Sequence, residues 1–150
     1  MAKRCRYAGC PGSRQQLPPL TTISPVTDTL NQVFVNKLEM VEIHVIGDQN
    51  GESVTAMGKQ AQLLLEDLTK QHKRRLILDD LSQMGRTDTP ARQMVSKLAR
   101  SLDYDKTAMV GPNNTLMKQG TRLLLTAIGL GRKIRYFVDR ETAIRWLQAP

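Results

Sequence analysis

The chain has 150 residues, a mass of 16.9 kDa and a net charge of +8. That is room for one domain with a real core, and with 40% hydrophobic but only 4% aromatic residues the core must be aliphatic. No run approaches the ~20 apolar residues of a membrane span, and no apolar stretch precedes Pro11 as a secretory signal would need, so a soluble, cytoplasmic protein is expected.

Residues 1–26 hold Pro11, Pro18, Pro19 and Pro25, several Ser and Thr, and no apolar period. They read as a disordered basic leader, with residues 27–150 as the domain. Lys3, Arg4, Arg6 and Arg14 stand in the leader with no acid beside them, which supplies half of the net charge. Such a tail attracts phosphates without specificity, or is simply solvated. Nucleic-acid binding through it and through Arg132, Lys133, Arg135, Arg140 and Arg145 is expected to be weak at most, because stacking on bases wants aromatics. Cys5 and Cys10 form C-x4-C with no histidine nearby, a pattern of free thiols rather than of a zinc site.

The first regular pattern is an alternation. Val33 and Val35 lie two apart, and Val41, Ile43 and Val45 share one face of a second strand. A tight turn around Asn36 to Glu39 joins the two into a hairpin. Glu42 and His44 then share the opposite face, either as a functional pair or as a solvated or cross-strand polar pair. Gly47 to Gly51 is a loop, and Ser53 can cap the helix that follows. Val54, Met57, Ala61, Leu64, Leu65 and Leu68 recur at three- and four-residue steps, the pattern of an amphipathic helix. The basic run Lys70 to Arg75 suits the negative end of its dipole.

Arg75 to Asp79 predicts a buried strand, since Leu76, Ile77 and Leu78 are continuously apolar, with Asp79 and Asp80 at its carboxyl end. A polar loop follows. Thr89 reads as an N-cap and Pro90 as the first helical residue. Met94, Val95, Leu98, Ala99 and Leu102 give that helix its stripe. Lys106 to Val110 is the next strand, and Gly111 to Asn114 its loop, with Asn113 or Asn114 as the following cap. A helix from Leu116 to Leu130 stops at Gly129 and Gly131, and Gly120 inside it suggests a close backbone approach. Ile134 to Val138 is the last strand. Asp139 caps a final helix facing inward through Ala143, Ile144 and Leu147. The order β-β-α-β-α-β-α-β-α predicts an α/β fold: a mainly parallel sheet with an N-terminal antiparallel hairpin.

Phosphate-binding, dinucleotide, zincin and serine-nucleophile motifs are all lacking, so no cofactor or metal is expected. His44 and His72 are not placed at strand ends, and without a convergent catalytic set the chain reads as a non-enzyme. Asp79 and Asp80 are read as acceptors for loop amides rather than as magnesium ligands. A phosphorylated receiver domain is a poor fit, because the loop after Ile46 offers only Asp48 and no Lys follows the last strand.

From about Leu38 to Leu147 the chain resembles the STAS fold, which includes the anti-sigma-factor antagonists and the SpoIIAA-like branch. The resemblance rests on R-L-I-L-D-D-L, on K-T-A-M-V-G and, above all, on K-I-R-Y-F-V-D-R-E-T-A-I-R-W-L. It implies a non-enzymatic, regulatory protein-binding module. In the antagonists an Asp-Ser-Ser-Gly motif opens the helix after the central strand and carries a phosphorylated serine. Here T-D-T-P stands in its place: Asp88 matches the Asp, Thr89 the first Ser, Pro90 occupies the usual acceptor position, and the Gly is absent. Thr89 is then the candidate phosphoacceptor. The contact surface expected from strand-end geometry and from the resemblance comprises Asp79, Asp80, Gly85, Arg86, Thr87, Asp88, Thr89, Gly111, Asn113 and Asn114. The partner would be an anti-sigma-factor-like protein or another regulator, and a homodimer is one assembly to test. The alternative is a small-molecule or lipid binder with an aliphatic cleft beside the third helix, as in lipid-binding domains of similar architecture.

Overall fold

The alternating and helical apolar patterns fold in the expected order. The computed structural model describes residues 30–150, so the basic leader, Cys5 and Cys10 lie outside the described residues. The strands are β1 (Gln32–Val35), β2 (Val41–Gln49), β3 (Leu76–Thr87), β4 (Lys106–Val110) and β5 (Ile134–Phe137). The helices are α1 (Gly51–Lys70), α2 (Thr89–Ser101), α3 (Thr115–Ala127) and α4 (Arg140–Gln148). The five strands make one sheet in the order β1-β2-β3-β4-β5, antiparallel between β1 and β2 and parallel elsewhere. None of the described helices is long and apolar enough to cross a membrane.

Because each parallel strand lies next to its predecessor, right-handed crossovers place α1, α2 and α3 on one face. The side chains agree with that placement. Val41 and Ile77 pack with Ala61, Leu65 and Leu68 of α1 and Leu125 of α3. Alternation sends Leu76, Leu78, Ala108 and Val110 to the other face, where Ala143 and Leu147 of α4 cover them. Arg74 of the run after α1 and Lys106 at the start of β4 close this second layer at its edge. Arg74 donates to the carbonyls of Gln148 and Ala149 at the end of α4 (3.1 and 3.2 Å), and Lys106 adds a third bond to Ala149 (2.8 Å).

Four local expectations are corrected. First, β3 does not end at Asp79. It runs to Thr87, because β2 continues beside it through the pairs Ile46–Gln83, Gly47–Met84 and Gln49–Thr87, and the Asp48 carboxylate accepts the Arg86 N–H at 2.7 Å. The polar stretch read as a loop is therefore paired strand. Second, that pairing carries the extended backbone through Thr87, so Asp88 and not Thr89 is the N-cap: its carboxylate accepts the Ala91 N–H at 2.7 Å. Third, Asn50 caps α1, and Ser53 completes a capping box from the third helical position, with N–H to oxygen distances of 2.8 and 3.0 Å. Fourth, among the described residues nothing beyond the chain neighbours and backbone of its own helix lies within 4 Å of where a Gly120 Cβ would stand, so no close approach there requires that glycine. The close approach is instead at Gly58 of α1, where a Cβ would meet the Leu98 side chain of α2 at 2.5 Å.

The cap assignment has a direct test. Asp88→Ala is expected to cost about 1 kcal/mol and Thr89→Ala only a few tenths. Urea melts of the two variants check this, and the reverse ranking would restore Thr89 as the cap.

Candidate functional site

Between the sheet and α1, α2 and α3 the packing leaves a cavity of about 220 Å³. Its floor is Ile43 and Val45 of β2, Ile77 and Leu81 of β3, Thr107 and Met109 of β4 and Ile134 of β5. Its walls are Val54, Met57 and Ala61 of α1, Leu98, Ala99 and Leu102 of α2, and Leu125 and Ile128 of α3. Val95 also lines it and is 43% exposed, so the cavity reaches the surface beside α2. An apolar void of this size forfeits dispersion contacts over its whole lining, unlike an ordinary close-packed core.

Among the described residues, one charged group faces this space. Asp79 lies mid-strand on β3, with Ile43 and Met109 as its lateral neighbours and Ile77 and Leu81 two residues away on the same face. Its carboxylate has no side-chain or backbone hydrogen-bond partner among the described residues, and the half-buried residue lines the cavity. Burial raises its pKa from 3.8 to about 7. Tyr104 closes one end, its hydroxyl donating to the Ala99 carbonyl at 2.6 Å. Burial, and then the charge of Asp79, raise the Tyr104 pKa.

The expected contact residues separate into four places. Asp79 belongs to the cavity. Asp80 points through the opposite face of the sheet and accepts the Ser82 N–H at 3.0 Å. The two carboxylates therefore cannot converge on one cation, and among the described residues no group of three His, Cys, Asp or Glu side chains forms a metal site. Gly85, Arg86, Thr87, Asp88 and Thr89 continue along β3 into α2. Gly85 is required there, because a Cβ would overlap the Asp48 carboxylate. Thr89 is exposed in the first turn of α2. Gly111 is buried beneath the Tyr136 hydroxyl, which donates to the Pro112 carbonyl at 2.9 Å. Asn113 accepts from Lys118 at 2.8 Å, and Asn114 accepts the Leu116 N–H at 3.0 Å. A shallow groove runs where the starts of α1 and α2 meet, lined by Asn50, Thr55, Lys59, Pro90, Met94 and Lys97.

On the face that α4 covers in part, Glu42 and His44 do form a pair, with Nε2 of His44 2.6 Å from a Glu42 oxygen. Glu42 is 3% exposed and also receives Asn36 at 2.8 Å and Arg140 at 2.9 Å. Burial alone would raise its pKa. The hydrogen bonds from Arg140, Asn36 and His44 outweigh burial and hold it at about 2. The arrangement is a satisfied polar network joining β2, the turn before it and α4, a structural use of both residues. The neighbouring cations are also engaged internally. Lys106 and Arg135 stand over the Trp146 ring at 5.3 and 5.2 Å, and Lys133 over Tyr104 at 5.7 Å.

The antiparallel hairpin, the parallel run of strands in sequence order and the lone fourth helix on the far face define a domain of the STAS type. Residues 40–148 match the family model described as SpoIIAA-like, and the chain belongs to that family. No curated protein matches it in sequence. Among solved structures it is similar to an uncharacterized protein from the DUF3478 family with a SpoIIAA-like fold, from Shewanella loihica PV-4. The identity is 18% and the TM-score 0.56, over 78% of this chain and 91% of that one. It is also similar to an anti-sigma factor antagonist from Mycobacterium paratuberculosis, at 12% identity and a TM-score of 0.55, over 79% of this chain and 93% of that one. At such identities the likeness is one of fold.

Proposed function

We propose that this chain is a non-enzymatic binding module that takes a small apolar molecule into the cavity beneath α1, α2 and α3. The carrying observation is the cavity itself: about 220 Å³, apolar in its lining and open beside Val95. Apolar cavities of about 150 Å³ bind benzene-sized molecules, so a largely apolar space of this size favours such a guest. The test pairs thermal melts in a series of small aromatic hydrocarbons with the variant Ala99→Leu, which fills the space from α2. Saturable stabilisation of the wild type, lost in the filled variant, is the expected result. No response to any apolar molecule would overturn the reading.

A second reading, regulatory protein binding, is favoured by the groove between the starts of α1 and α2. There Pro90 of α2 lies 3.2 Å from the position a Gly51 Cβ would take. The surface would comprise Asp80 to Thr89, Pro90 and the Gly111 to Asn114 loop, with an anti-sigma-factor-like protein or another regulator as partner. Thr89 is exposed there, and a phosphate on it would add charge at the positive end of α2. Both readings suit a module of this family, and the ligand in the cavity would bear on α2, which forms a wall of both.

A further inference from the structure

A cavity meant for a purely apolar guest has no use for Asp79. Its carboxylate is set among Ile43, Ile77, Leu81 and Met109, has no hydrogen-bond partner among the described residues and faces the open space. The capping, hairpin and interlayer acids all have partners: Asp88, Asp139, Glu42, Asp48 and Asp105 each accept at least one N–H. Asp79 alone among these is left for something from outside. Among the described residues no Lys, Arg, His or Glu lines the cavity; the other titratable group there is Tyr104, whose proton is already given to Ala99.

We propose that the molecule held in this cavity is apolar over most of its surface but carries one hydrogen-bond donor, a hydroxyl, an aromatic N–H or a protonated amine, and that Asp79 anchors that donor. The proposal rests on the ligand-binding reading above and deepens it. The volume sets the size at on the order of ten non-hydrogen atoms, by proportion to a benzene-sized cavity. The sign of the anchor sets the chemistry. A second carboxylate placed beside Asp79 in an apolar enclosure would repel it, so free fatty-acid and aryl-acid anions are excluded. A donor is rewarded because it gives a partner to an acceptor that has none among the described residues.

Four size-matched probes separate the cases by calorimetry. Indole carries an N–H donor and indene does not; phenethylamine is a cation and phenylacetate an anion. Indole is expected to bind about tenfold more tightly than indene or better. Phenylacetate is expected not to bind. Phenethylamine should bind more tightly as the pH rises from 5.5 to 8, because Asp79 ionises across about 7. Two variants complete the test. Asp79→Leu should erase the preference for indole over indene. Asp79→Asn, which keeps the shape and an acceptor, should keep part of that preference but lose the pH dependence of phenethylamine. Equal binding of indole and indene, or a preference that survives Asp79→Leu, would overturn the anchor while leaving the apolar cavity reading intact. Failure of all four probes, indene included, would overturn both.

Discussion

Asp79→Asn is expected to be more stable than the wild type by about 4 kcal/mol at pH 8 and by almost nothing at pH 4. The folded protein holds the Asp79 proton up to a pKa of about 7, whereas the unfolded chain releases it near 3.8. Between those values the native state binds more protons than the unfolded state, so stability falls as pH rises. The loss is complete above about pH 7. At roughly 1.4 kcal/mol for each tenfold change in proton affinity it reaches about 4 kcal/mol. Against a total of about 5–15 kcal/mol for a typical domain this is a large fraction, worth roughly 15 °C in the thermal midpoint. The amide has no charge to desolvate, so its stability should stay flat over the same range. Paired melts at pH 4, 6 and 8 check the prediction, and a gap that does not change with pH would show that the carboxyl is not isolated. A cost of this size, set in the lining of the cavity, fits a group kept for binding rather than for folding.

Most of the architecture was legible because apolar periodicity reports which face of an element is covered. Leu76 to Leu78 could only be a strand buried on both sides, and Ala143, Ile144 and Leu147 could only face a sheet. The far half of β3 was illegible for the same reason. Ser82, Gln83, Gly85 and Arg86 have no apolar period, since this stretch projects past the helices, and what makes it a strand is its pairing with an equally polar stretch of β2. Backbone pairing between solvated strands leaves little trace in side-chain pattern.

That one misjudged end had two consequences. Ending the strand at Asp79 made both acids strand-end residues, and the alternation that separates them onto opposite faces was lost from view. Once β3 runs to Thr87, Asp79 is an interior position on the helix-covered face and Asp80 is not. The cap moved with it. Asp88 and Thr89 are both good capping residues, and composition cannot choose between them. The choice is made by the last rung of the β2–β3 ladder, where Gln49 pairs with Thr87 and its carbonyl takes the Asp88 N–H at 3.1 Å. The cavity itself had a partial signal: Ile43, Val45, Ile77, Leu81, Thr107 and Met109 all fall on one face by alternation. What periodicity cannot report is that the helices above leave that face incompletely filled.

Arg140→Met is expected to destabilise the protein by about 2 kcal/mol at pH 7. Glu42 sits at the junction of β1, β2 and α4 with its side chain 4% exposed, while the Arg140 side chain is 45% exposed. Removing one partner of a fully buried pair costs about 3–5 kcal/mol, and the half-exposed guanidinium brings the value to the low side. Asn36 and His44 still donate to Glu42 in the variant, so the carboxylate is weakened rather than orphaned. The pH dependence follows from the depressed pKa. Glu42 titrates at 4.5 when unfolded and at about 2 in the native network, so its contribution is present above pH 4.5 and is lost as the pH falls towards 2. The pairing raises the Arg140 pKa as well, chiefly through its hydrogen bond to Glu42, so both partners agree on the direction. The gap between wild type and Arg140→Met should therefore close in acid; the Asp79→Asn gap closes in acid too, but there the variant is the more stable partner. The double variant Glu42→Leu with Arg140→Met replaces the charges by apolar groups and should recover much of the loss, and a double-mutant cycle with Glu42→Leu isolates the coupling. If Arg140→Met melts with the wild type at pH 7, Asn36 and His44 alone hold Glu42, and α4 is fixed by Ala143, Leu147 and the bonds from Arg74 and Lys106.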